Sequence, residues 1–332
     1  MMVLKPLSRA LADGDAVYAI IRGSGVNSGG MGNGLTAPSG LAQQAVIRSA
    51  LAASMLDGCD ISYVEAHGTA TPLGDSIEAR ALGTVLSAGR VRPCVVGSVK
   101  TNIGHLDAAA GMSALIKVAL LLHHRTLVPS LHFERPNPQI ALGELGLRVG
   151  TSVEPWGDAP RNAGVSAFGF GGTNAHVILS AAADRVPSNL AQGGPEVLFV
   201  SAPSSAALVK RLETYADSFT SKSWSLQDLA FTLNRRRKHF ECRAAIVASS
   251  IADAATAARE AARAIAAGSS HVVASRHGET RLAELGHRYV NGDSIVSNDV
   301  GELLGHGALP PYPWQRRRYW LDFVNEVEAC FK

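Results

Sequence analysis

Charged residues are scarce in this sequence: Asp, Glu, Lys and Arg fill 18% of 332 positions, where about 25% is usual. Lys and Arg number 31 against 28 acidic residues, a net charge of +3. That balance gives no reason to expect nucleic acid or an anionic membrane as partner. Cysteine is scarce too. Cys59, Cys94, Cys242 and Cys330 stand far apart with no CxxC, so neither a zinc site nor a disulfide framework is expected, and no metal is proposed. Reduced thiols fit a cytoplasmic protein. Long apolar runs are missing as well. Residues 162–183 come nearest, but they hold four glycines with Asn174 and His176, and read as two strands about a turn, not a membrane span. The opening residues are broken by Lys5 and Arg9 and do not resemble a signal peptide. What the chain has in quantity is apolar side chain, 46%, and glycine, 33 residues. Such a composition buries a core and excludes disorder over most of the length. The length suggests about two domains.

Apolar patterning supplies the elements. Ala16 to Ile21 is a β-rich run, and Gly23 to Gly34 a glycine-rich loop. Leu41 to Leu56 has helical spacing. Ile61 to Ala66 reads as a strand that stops at His67. Asp75 resembles an N-cap with Glu78 at the capping-box position, opening a helix to about Leu86. Val95 to Val99 is a second strand, and Asp107 to His123 a helix apolar almost all round, expected to be buried. Arg161 to Phe168 and Ala175 to Leu179 are strands joined by Gly169–Gly172. Strands alternating with helices point to a layered α/β domain over residues 1–180. Residues 181–195 read as a linker. A second, smaller α/β pattern follows over 196–268, with Ser225 and Asp228 placed as a helix cap. Residues 269–332 form a tail. Its Tyr312, Trp314, Tyr319 and Trp320 are expected to be buried, because each carries a large apolar surface.

Three segments end strands with polar, glycine-flanked residues: EAHGTATPLGD from Glu65, GSVKTNIGHLDAAAG from Gly97, and GFGGTNAH from Gly169. In α/β sheets ligands bind beyond the C-terminal ends of strands, so all three can face one site. Gly68 and Gly104 would let backbone approach a ligand. A lone histidine after a strand is more often structural. Here two, His67 and His105, stand with Lys100 five residues before one of them. Imidazoles that donate hydrogen bonds stabilise a developing oxyanion or enolate.

At these segments the sequence resembles the β-ketoacyl synthase of a type I polyketide synthase. The resemblance covers roughly Met2 to Leu179 and implies a thiolase-like half-fold. It implies that His67 and His105 promote decarboxylation of a malonyl-type extender and stabilise the enolate. Lys100 would organise the site electrostatically. Thr69 and Thr71 would hydrogen-bond the phosphopantetheine arm, delivered on an acyl carrier protein, with no cofactor bound directly. Phe170 would be the gate, its backbone N–H half of an oxyanion hole. Ala70 stands where the family usually has glycine.

The family's nucleophilic cysteine lies upstream in a Ser-rich turn, and none of the four cysteines here has that context. The chain therefore resembles the C-terminal half of the enzyme, whose N-terminal half becomes an expected partner; the complete family forms homodimers. Beyond Leu179 the similarity weakens. Val197 to Ala267 looks like the linker domain between ketosynthase and acyltransferase, and PYPWQRRRYWL like the segment after an acyltransferase. No GHSxG motif lies between them, which implies either an acyltransferase acting in trans as a further partner or a decayed gene. The rival reading is a non-catalytic scaffold that docks the carrier protein or that acyltransferase.

Overall fold

The computed structural model of the chain describes residues 1–30, 37–157, 161–183, 194–221, 225–270, 272–275, 280–293, 309–310 and 312–315. They fall into two units, one of residues 1–10 and 17–185, the other of 11–16 and 186–332. A short helix, α1 (Leu7–Ala12), opens the chain.

The first unit holds β1 (Ala19–Ser28), α2 (Gly40–Ser54), β2 (Tyr63–Glu65), α3 (Pro72–Leu86), β3 (Cys94–Gly97), α4 (Lys100–Ile103), α5 (Ala110–His124), β4 (Thr126–Leu127), β5 (Leu147–Val149), β6 (Glu154–Pro155), β7 (Asn162–Phe168) and β8 (Thr173–Ala181). Six strands form one sheet in the order β1-β8-β7-β2-β3-β5. The first three pair antiparallel, and β7, β2, β3 and β5 run parallel. Side chains alternate across a strand, so neighbouring residues feed opposite cores. Val64 and Ile178 join Val46, Ile47, Leu82 and Leu86 of α2 and α3 on one face. Tyr63 and Leu179 join Ala114, Val118 and Leu121 of α5 on the other. A mixed sheet covered on both faces is the layered α/β arrangement expected.

Two local expectations change. The glycine-rich loop proposed from Gly23 is strand as far as Ser28; residues 31–36 lie outside the described ones. Gly23 and Gly25 are there because α2 lies against β1. A Cβ would meet Ala50 O at 2.6 Å from Gly23 and Val46 O at 2.7 Å from Gly25. The helix beginning near Asp107 is a 3-10 turn, Asp107–Ala109, leading into α5. It is not buried all round, since Met112 and Leu120 are exposed.

The second unit has β9 (Glu196–Ala202), α6 (Ser205–Ser221), α7 (Leu226–Arg235), β10 (Cys242–Ala248), α8 (Ile251–Ala266), β11 (Val272–Ser275) and α9 (Thr280–Val290). The strand β11, which patterning missed, pairs parallel with β10. Helices α6, α7 and α8 cover one face of this sheet and α9 the other. The buried stripe of α8 is alanine at 254, 255, 257, 258, 261 and 262, which lets α6 approach closely. Ser225 caps α7 as expected, its hydroxyl accepting the Asp228 N–H at 3.0 Å. Arg211 is buried, donating to Ser201 O at 2.6 Å and to the Tyr215 hydroxyl at 2.9 Å. Its guanidinium lies 5.5 Å from the ring of Tyr312, and Leu309 is buried in the same core. Trp314 departs from expectation at 78% exposed; its ring meets that of Tyr312 edge-on at 5.1 Å. Tyr319 and Trp320 lie outside the described residues.

One buried polar pair in the first unit sets a pH dependence. His176 on β8 is fully buried, its Nδ1 3.1 Å from the Ser166 hydroxyl. A Cβ on Gly164 would sit 2.7 Å from its Nε2, so glycine leaves the ring its room. Burial pulls the imidazole pKa down from 6.5 to about 4. The fold therefore holds the neutral form. The associated stability is whole above pH 6.5 and is lost as pH falls through 4, a difference of about 3 kcal/mol. Urea unfolding of wild type and His176→Gln will show a stability gap at pH 7 that narrows by that order at pH 4. A gap that is the same at both pH values contradicts the burial of a neutral ring.

Candidate active site

The site forms where β2 and β3 end side by side. The pair is parallel, with Tyr63 opposite Val95 and Glu65 opposite Gly97. Parallel strands deliver their following loops to the same edge of the sheet. His67 follows β2, and Lys100 and His105 follow β3. The two imidazole rings meet edge to face, with centroids 5.7 Å apart. Phe168, at the end of β7, places its buried ring 5.8 Å from that of His67.

Each loop is held by backbone geometry. Gly68 and Gly104 have positive φ, 45° and 74°. Gly104 ends the single turn of α4 and redirects the chain to His105. The Nδ1 of His105 accepts the Asp107 backbone N–H at 2.9 Å. With Nδ1 used as acceptor, the neutral ring carries its hydrogen on Nε2 and can donate from there. His67 is half-buried. Burial first, then the charge of Lys100, then His105, bring its pKa down to about 4, so it is a neutral imidazole near pH 7. Lys100 is half-buried and lowered by burial, against the opposing charges of Glu78 and Glu65.

Glu78 overturns a local expectation. It is not a capping-box residue, because α3 starts earlier, with Thr71 as N-cap and Pro72 in the first turn. Proline's fixed φ and missing N–H suit the first helical turn, so the helix reaches back past Asp75. Glu78 is buried and turned toward the preceding loop, its oxygens accepting the N–H groups of His67 at 2.8 Å and Gly68 at 3.0 Å. Burial raises it to about 7 in spite of those two donors. Asp75 takes the N–H groups of Ala70 and Thr71 and is raised, chiefly by burial. The two carboxylates thus hold the backbone from His67 to Thr71.

Thr69 is half-buried and Thr71 exposed, with hydroxyls 3.4 Å apart. Phe170 lies in the turn between β7 and β8 and is 82% exposed. That turn is tied to β1 by Gly29 N–H donating to Gly172 O at 2.6 Å. Motif spacing along the chain assigns no role to Glu65 or to Lys117. Both are buried charges in apolar elements, a signal in itself, since such groups are almost never buried unpaired. Among the described residues no group of three or more His, Cys, Asp or Glu could hold a metal ion, and no helix is long and apolar enough to cross a membrane.

Residues 18–134 match the family described as β-ketoacyl synthase, C-terminal domain, and residues 136–247 the ketoacyl-synthetase C-terminal extension. The polyketide synthase ThaG of Burkholderia thailandensis is 42% identical over 96% of this chain, which covers 6% of that protein. The polyketide synthase GfsA of Streptomyces halstedii is 45% identical over 75% of the chain and 4% of its own length. The ketosynthase from module 6 of the bacillaene synthase of Bacillus subtilis superposes with a TM-score of 0.81 at 33% identity, over 96% of this chain and 60% of that one. The chain belongs to the β-ketoacyl synthase family of type I polyketide synthases. An oxazolomycin ketosynthase domain from Streptomyces albus matches as well, with a TM-score of 0.81 at 34% identity, over 97% of this chain and 58% of that one. The ketosynthase fold of these structures is the thiolase-like one. The chain spans a small part of the curated synthases and about three-fifths of the solved ketosynthase chains.

Ala70, where the family resemblance led us to expect glycine, has φ of +60°. An L side chain is strained there and glycine is not. Ala70→Gly will therefore raise stability by about 0.5–1 kcal/mol, read as an increase of about 2 °C in the thermal midpoint. An unchanged or lower midpoint would show that the loop relieves the strain elsewhere.

Proposed function

We propose that this chain supplies the proton-handling half of a polyketide β-ketoacyl synthase site, working in decarboxylative Claisen condensation. The observation that carries the reading is the convergence of His67 and His105 beside Lys100 at the ends of two parallel strands. In the reaction the bond from the malonyl α-carbon to its carboxylate breaks and CO₂ leaves. The electron pair becomes the enolate of the extender thioester. Neutral imidazole N–H groups aimed at the thioester oxygen stabilise that charge. The enolate carbon then attacks an acyl thioester and the thiolate departs. His67, kept neutral by burial, still carries one ring N–H, and His105, whose Nδ1 accepts the Asp107 N–H, can donate from Nε2. Lys100 adds fixed positive potential, and Phe170, exposed in its turn, serves as gate and oxyanion donor.

The extender arrives on the phosphopantetheine arm of an acyl carrier protein. Thr69 and Thr71 present paired hydroxyls to such an arm from the loop between His67 and α3. The acyl group is carried on a cysteine outside this chain. Cys59 precedes β2 and Cys94 opens β3, at the strand ends opposite to His67 and Lys100. Burial also pushes the Cys94 thiol up to about 12, where the thiolate is inaccessible. Cys242 belongs to the second unit, and Cys330 lies outside the described residues. The partners on this reading are the N-terminal ketosynthase half, the carrier protein and an acyltransferase acting in trans.

The test has two arms. Incubated alone with a radiolabelled acyl thioester, the chain will retain no protein-bound label; label on any of its four cysteines, lost together with turnover on mutation, overturns the assignment. Co-expressed with the N-terminal half of a ketosynthase relative, it will release CO₂ from malonyl-thioester, and His67→Ala or His105→Ala will lower that rate about 10²-fold or more. If both variants match wild type in a complex that still forms, the chain is a docking scaffold and not part of the catalyst.

A further inference from the structure

The last residue of β2 carries a charge that condensation does not use. Glu65 is fully buried. Its Oε2 accepts the Tyr63 hydroxyl at 2.6 Å and lies 2.7 Å from the Lys117 ammonium of α5. The lysine contact is an ion pair, off the axis of a hydrogen bond. Oε1 accepts the backbone N–H of Val99, the N-cap of α4. The cage closes only because residue 97 is glycine. A Cβ there would lie 2.5 Å from the Tyr63 hydroxyl and 3.4 Å from the Lys117 Nζ.

We propose that Glu65 is a positioning residue: it locks the turn that carries Lys100 to the strand that carries His67, and its charge, anchored by Lys117, acts on the Lys100 ammonium. The geometry supports both parts. Glu65 lies two residues before His67, and Val99 immediately precedes Lys100. One carboxylate therefore spans the two segments whose side chains meet in the site. A buried ion pair is a poor way to stabilise a core, because apolar side chains of similar volume often do as well or better. It is an effective way to hold a short turn in one place, since both oxygens of the carboxylate are engaged from different elements. The charged groups acting on Lys100 are Glu78 and Glu65; those acting on His67 are Lys100 and His105. Removing the negative charge of Glu65 disfavours the protonated amine, so the Lys100 midpoint must fall.

This inference rests on placing Lys100 and His67 in one site, but its test does not use turnover. The lysines of the full chain are dimethylated with ¹³C-formaldehyde, and Lys100 is titrated by NMR, its signal assigned with Lys100→Arg. Exposed Lys210 of α6 is the control. In Glu65→Gln the Lys100 midpoint will shift down while Lys210 stays in place. In Glu65→Leu/Lys117→Met, which strands no charge but removes the acceptor for Val99, the midpoint will also fall. Amide exchange from Val99 to Ile103 will then quicken and the His105 imidazole signals will move. Both variants folding with Lys100, His105 and the α4 amides unchanged overturns the proposal. Failure of both to fold marks the network as purely structural and overturns it as well. If the condensation assay fails while Lys100 still responds to Glu65, the catalytic reading falls and the coupling between the two residues stands.

Discussion

Parallel pairing of β2 with β3 is the constraint on which the site depends. Three residues of one strand lie against three of the other, flanked by β7 and β5. Parallel strands must both run toward the same edge, so the loops after Glu65 and after Gly97 emerge together. Everything in the site hangs from that edge. His67 comes two residues after one strand and Lys100 three after the other. The ladder continues one step past β2, with Ala66 N–H donating to Gly97 O at 2.8 Å. The backbone is therefore still fixed where the candidate site begins.

Buried carboxylates then hold what the strands deliver. Glu78 and Asp75 reach back from α3 to the backbone of residues 67 to 71. Glu65 reaches across to the N-cap of α4. A loop held by charge-assisted hydrogen bonds needs few apolar contacts of its own, so it can stay open to a substrate on its outer side. Thr71 is exposed there, while Glu65 and Glu78 are buried and Asp75 is half-buried. The same burial that isolates Glu78 and His67 moves them in opposite directions, the acid up and the base down, both toward neutrality. Desolvation penalises the charged form of either.

The two units solve the packing problem differently. In the first, large side chains alternate across a sheet covered on both faces, with Tyr63, Ile47, Ile178 and Leu179 fully buried. In the second, a run of alanines on α8 brings helices close, and one buried arginine ties α6 to β9 and to Tyr312. Tyr312 is drawn in because the guanidinium offers its ring a partner. Trp314 meets the edge of the Tyr312 ring and is exposed.

The sequence by itself determined the layered α/β class, most of the elements, and the three polar segments at strand ends. Those features are local: apolar periodicity, glycine flanks and motif order can be read one residue after another. It also singled out His67, His105 and Lys100, because two histidines and a lysine at such positions are hard to explain as packing. Only the tertiary structure decided what surrounds them. Glu78 looked like a cap three residues after Asp75, yet Pro72 starts the helix a turn earlier and frees Glu78 to bind the loop. Gly23 and Gly25 looked like a loop, yet they are strand residues thinned for α2. Glu65 and Lys117 are 52 positions apart in the chain and form one ion pair. Such pairings follow from which strand lies beside which and which helix covers them, and spacing along the chain does not carry that information.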